Sequence, residues 1–160
     1  MSGTHTRLVS SMNHLSKQFS QLLLISGLGW VLATPAQAVS LWHADTVWAG
    51  QGLCAASFTV DSGGQWVQDL IVDFTALDTQ TNAPIKQGQL RAEHDFGRDS
   101  ATRYAQLLWE DEYACYSHLQ LQITRAYAVI EGEVFDLLSA SSPHSLHIRD
   151  FRPYQIELLP

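Results

Sequence analysis

Cys54, Ala56, Phe58 and Val60 alternate with Ala55, Ser57 and Thr59. A period of two residues sends one face of a β-strand into a core and the other toward water. A second run puts Tyr113, Cys115, Leu119, Leu121 and Ile123 on one face, opposite Tyr116, His118, Gln120 and Gln122. Each cysteine therefore falls on the apolar face of its own expected strand, and two inward faces joined by a bridge are what packed sheets present. Neither cysteine belongs to a C-x-x-C, and the chain has no others. The pair reads as a structural disulfide, Cys54–Cys115, in an oxidising compartment. It closes a loop of about 60 residues, worth roughly 4 kcal/mol in the chain-entropy model.

Similar short segments fill the rest. Trp66, Gln68, Leu70, Val72, Phe74 and Ala76 share a face after the turn residues 62–65, and a weaker strand spans Ile85 to His94. Ala105, Leu107 and Trp109 alternate ahead of the acidic turn Glu110-Asp111-Glu112. Tyr127–Ile130 and Val134–Leu138 flank Glu131-Gly132-Glu133 as a hairpin, where glycine supplies a positive backbone φ. Ala140 to Ser145 reads as a loop, and Tyr154, Ile156 and Leu158 as a last strand. Seven or eight such strands, with no sustained helical periodicity, predict one all-β domain, a sandwich or barrel.

The N-terminal part follows different rules. Residues 22–33 form an apolar run of twelve, too short for a membrane span of about 20 residues. Arg7 and Lys17 precede it, and Ala36-Gln37-Ala38 offers the small residues of a cleavage site. Residues 1–38 are thus expected to be a signal peptide, with Met12 as an alternative start, and residues 39–160 the exported domain. No cysteine follows the run closely, so no lipid-anchored end and no stable membrane anchor is expected.

The exported part carries seven Lys or Arg against sixteen Asp or Glu, a formal charge of −9. Nucleic-acid binding needs clustered cations to replace phosphate counterions, so that class is set aside. No glycine-rich phosphate loop, no four-ligand Cys/His set and no G-x-S-x-G elbow occurs, and no cofactor is implied. His144, His147 and Asp150 are the best metal candidates, a three-ligand set of the kind zinc uses. In a strand, however, residues 144 and 147 point to opposite faces, so solvated histidines are the preferred account. Trp42 and Trp48 lie in a turn-prone stretch near the mature terminus. They are the candidate exposed pair, because tryptophan is enriched at interface hot spots.

Three stretches carry a family resemblance. They are Val47-Trp48-Ala49-Gly50-Gln51-Gly52-Leu53-Cys54-Ala55-Ala56-Ser57-Phe58, then Leu70-Ile71-Val72-Asp73-Phe74-Thr75-Ala76, and finally Phe151-Arg152-Pro153-Tyr154-Gln155-Ile156. Together they resemble the interleukin receptor mimic protein A family, small secreted or periplasmic bacterial proteins, over nearly the whole mature chain. The resemblance implies a fibronectin-III/immunoglobulin-like β-sandwich, a strand-exchanged homodimer, and a protein-binding rather than catalytic role with a host-derived partner. No family binding motif transfers to particular residues, and a shared fold does not fix a partner. The leading expectation is an exported, non-catalytic protein-binding module. The alternatives are a pilus-type subunit assembled by strand donation and a zinc-dependent hydrolase built on His144, His147 and Asp150.

Overall fold

Nine strands in two sheets make up the computed structural model, which describes residues 37–149 and 155–158. The expected leader lies outside the described residues except for Gln37 and Ala38, and Asp150 lies outside them too. In chain order the strands are β1 (Gln37–Gly50), β2 (Leu53–Asp61), β3 (Val67–Asp78), β4 (Pro84–Arg91), β5 (Tyr104–Asp111), β6 (Leu119–Ile130), β7 (Glu133–Asp136), β8 (His144–Ile148) and β9 (Gln155–Leu158). One sheet has the order β5-β2-β1-β8. The other runs β4-β3-β6-β7, and β9 adds alongside β6. Most neighbours are antiparallel, but β8 runs parallel to β1 and β9 parallel to β6.

The inward faces follow the alternation. Cys54, Ala56, Phe58 and Val60 of β2 and Leu70, Val72, Phe74 and Ala76 of β3 are all buried in one core. Phe74 meets Trp109 of the opposite sheet edge-on, with ring centroids 5.0 Å apart, the offset geometry that aromatic quadrupoles favour. Gly88 of β4 lies over Phe74, and a Cβ there would overlap the phenyl ring. The absent side chain is what leaves room for the Phe74 ring beside the edge strand. Among the described residues no helix is long and apolar enough to cross a membrane.

Four expectations need correction. Cys115 is not in a strand: Tyr113–Cys115 form a 3₁₀ turn, and β6 starts only at Leu119. The Asp111 carboxylate accepts the Tyr113 N–H at 3.1 Å, and Tyr116 N–H closes on the Tyr113 carbonyl at 3.0 Å. Local bonds of this kind offer the backbone an alternative to the sheet ladder. The disulfide forms nonetheless, with Cα atoms 5.2 Å apart, and ties β2 to the turn that leads into the other sheet.

Trp42 and Trp48 belong to a strand rather than a turn. β1 is held by β2 on one side and β8 on the other, and a bulge at Ala44 absorbs the break in its pattern. In β3, Val67 and Leu70 are buried, not Trp66 and Gln68. A register shift between Gln68 and Ile71, with Asp69 at φ 45°, inserts extra backbone and reverses the phase before the bulge. The acidic stretch is likewise not all turn, since Glu110 and Asp111 complete β5.

Candidate protein-interaction face

The outward face of the four-stranded sheet is built from the residues that alternate with the core. On β2 these are Ala55, Ser57, Thr59 and Asp61, and the register sets a neighbour on each side. Ser40 and Tyr104 flank Asp61, while Trp42 and Gln106 flank Thr59. Of the large hydrophobic side chains exposed among the described residues, Val47, Leu53, Tyr104 and Leu108 all stand on this face. The outward face of the other sheet is instead laced by its own polar pairs, Gln89 to Asp73 at 2.7 Å and Arg91 to Asp69 at 3.1 Å.

Asp61 organises one end of the face. Although it points outward, only 2% of it is exposed. Arg103 donates two bonds to its carboxylate, Nε to Oδ1 at 2.8 Å and Nη2 to Oδ2 at 2.9 Å. Arg149 reaches Oδ2 at 3.5 Å, and the Gly63 N–H donates to Oδ1 at 2.9 Å. Gly63 has a φ of +67° and lies against the Ala38 carbonyl, a position a side chain would disrupt. The hydrogen bond from Arg103 holds the Asp61 carboxyl below the ordinary carboxylate range; burial opposes this, and Gly63 and the two guanidinium charges support it.

The same arginines carry an aromatic layer. Arg149 lies 5.0 Å from the centre of the Trp42 ring and Arg103 5.5 Å from that of Tyr104. Trp42 and Tyr104 meet edge-to-face with centroids 6.3 Å apart. Trp42 is half-buried and Tyr104 exposed. The result is a row of cation and π-system whose charges are fixed from below by one buried acid. Such contacts contribute about 0.5–1 kcal/mol each when exposed and about 2 or more when a partner desolvates them.

The two candidate tryptophans are not brought together. Trp48 stands at the far end of β1, opposite Cys54, and is 67% exposed. His144 and His147 are on β8 and face opposite ways. His144 turns to the edge of the core, with its ring 4.4 Å from that of Phe135. His147 is exposed and pairs with Ser40 on the outer face. The described residues contain no group of three His, Cys, Asp or Glu arranged to hold a metal ion. Of the other tryptophans among the described residues, Trp109 is core and Trp66 is capped by Arg98 at 4.3 Å.

Asp61, Arg103, Tyr104 and Arg149 escape sequence reasoning because they lie up to 88 residues apart and meet only through strand order. The one local signal is an acid closing the apolar run of β2 directly before Ser62-Gly63-Gly64.

Comparison with known proteins agrees with this architecture. No curated protein matches the chain. A solved structure from Escherichia coli, described as the structural characterization of IrmA, is similar with a TM-score of 0.57 and 23% identity. The match covers 72% of this chain and 94% of that one, and it speaks for the fold. The family model for interleukin receptor mimic protein A matches residues 39–143, more than half of the chain. The chain therefore belongs to the interleukin receptor mimic protein A family.

Proposed function

We propose that this protein is an exported, non-catalytic receptor-like module that binds a host protein through the outward face of its four-stranded sheet. The observation that carries the reading is the row Arg149, Trp42, Tyr104 and Arg103, anchored on Asp61. Trp, Tyr and Arg are the residue types that dominate binding energy at protein interfaces. Side chains already fixed by a buried ion pair lose less freedom on association. Family membership supports a receptor-mimic role, and its name makes interleukins the first ligands to try. The disulfide supports an oxidising destination, either periplasm or extracellular medium. A homodimer is part of the reading, and light scattering on size-exclusion fractions measures it.

The test is surface plasmon resonance with the purified oxidised protein against a panel of purified interleukins. Wild type should bind at least one, and Trp42→Ala or Tyr104→Ala should weaken that binding tenfold or more, about 1.4 kcal/mol. Far-ultraviolet circular dichroism must show both variants folded. Undetectable binding across the panel, or equal binding by folded variants, overturns the reading.

A further inference from the structure

The other end of the same outward face has a different chemistry. Here β2 presents only the small Ala55 and Ser57, and the strands on either side carry larger side chains. Val47 of β1 and Glu110 of β5 face each other across Ala55. One row further along, Asp45 and Leu108 face each other across Ser57. Ala55 points away from the core yet is only 8% exposed, so its neighbours shade it. Val47 and Leu108 are 53% and 54% exposed. The two rows thus make a shallow groove along β2, with aliphatic side chains on one diagonal and carboxylates on the other.

Both acids lack a cationic partner among the described residues. None of Lys86, Arg91, Arg98, Arg103, Arg125 or Arg149 comes from β1, β2 or residues 105–111. The nearby Asp111 is already paired with Lys86 at 3.1 Å. Desolvating an unpaired carboxylate is costly, so an uncharged or acidic occupant would be rejected.

We infer that this groove binds an extended segment of a partner protein in which aliphatic residues and lysine or arginine take turns at every second position, so that both kinds share the face turned to the groove. An extended chain places every second side chain on one face, about 6.8 Å apart. That step equals the spacing between the Ala55 and Ser57 rows, since the two residues are themselves two apart on β2. The inference rests on the reading of this face as protein-binding, and it adds the chemistry of the partner. Trp42 and Asp61 lie outside the groove and are not needed for it.

The probe is a synthetic peptide repeating Leu-Ser-Lys-Ser, which when extended carries leucine and lysine on one face, titrated into the full oxidised protein by calorimetry and followed by amide chemical shifts. Binding should be saturable at one site, with shifts concentrated on Asp45–Val47, Ala55–Ser57 and Leu108–Glu110. Leu108→Ser and Glu110→Gln should each weaken it fivefold or more, and Val134→Ser, at an exposed position of the other sheet, should leave it unchanged. A lysine–serine peptide binding equally well would overturn the inference. So would Asp69→Asn, on the opposite sheet, weakening binding as much as Glu110→Gln, because attraction would then come from net charge alone. If the peptide fails while an interleukin still binds through Trp42, only this groove is rejected. If the peptide binds as described and no interleukin does, the groove stands and the receptor-mimic reading falls.

Discussion

Asp61 and Arg103 form a two-point ion pair in which the acid is 2% exposed and the side chain of the base is 46% exposed. Asp61 ends β2 and Arg103 immediately precedes the neighbouring β5, and the pair sits under the aromatic layer proposed to meet a partner.

Neutralising Asp61 leaves a buried amide in place of the carboxylate that takes charge-assisted bonds from Arg103 and Arg149. Asp61→Asn should lower stability by about 1–3 kcal/mol, the usual cost of such a loss. Thermal unfolding should show a midpoint several degrees lower. The interleukin affinity, if carried by Trp42 and Tyr104, should fall as well, because both arginines lose their anchor.

The same pair predicts acid sensitivity. Its partners hold the Asp61 carboxyl below the ordinary range, so the unfolded chain binds the proton more readily than the folded one. The stabilisation is then fully present above the unfolded value of about 3.9 and is lost as pH falls through the lower folded value. Urea midpoints between pH 5 and pH 2 should drop less steeply for Asp61→Asn than for wild type. Parallel curves would assign the acid sensitivity to other carboxylates.

Much of the fold was legible in the sequence because β2, β3 and β5 alternate apolar inward residues with small or polar outward ones, which writes the period of two directly. β1 and β8 were not legible. The bulge at Ala44 breaks β1 into two short phases, and β8 turns only His144, Leu146 and Ile148 inward. β6 was divided in two because an exposed pair, Thr124 and Arg125, interrupts its alternation at a second bulge. Of the candidate site, Trp42 was named, but the residues that hold it in place were invisible. An ion pair between β2, the start of β5 and the end of β8 has no sequence spacing to betray it.

Gly88→Ala tests the packing over Phe74. The added methyl would overlap the ring, and overfilling a close-packed core costs typically about 1–3 kcal/mol. Because Phe74 touches Trp109, the tryptophan fluorescence of the folded variant should change along with its denaturant midpoint. An unchanged midpoint would show that Phe74 can move aside freely.

Trp48→Ser should be almost silent in stability, within about 0.5 kcal/mol, as is usual for an exposed substitution. Trp42→Ala should cost more, because its ring is half-buried between Arg149 and Tyr104. Comparing the two by thermal denaturation separates the tryptophan whose ring is packed against neighbours from the one whose ring is largely exposed.

The bond between Cys54 and Cys115 also sets how the molecule answers a mechanical load. The 61 residues it spans include the whole of β3, β4 and β5. Pulled by its two ends in an optical trap, the oxidised chain would yield β1, β6 and the strands after it. About 200 Å of contour would stay hidden behind the sulfur bridge, at 3.3–3.6 Å per extended residue. Adding a reductant would release that length as one further step, so a tethered molecule would lengthen abruptly on entering a reducing environment.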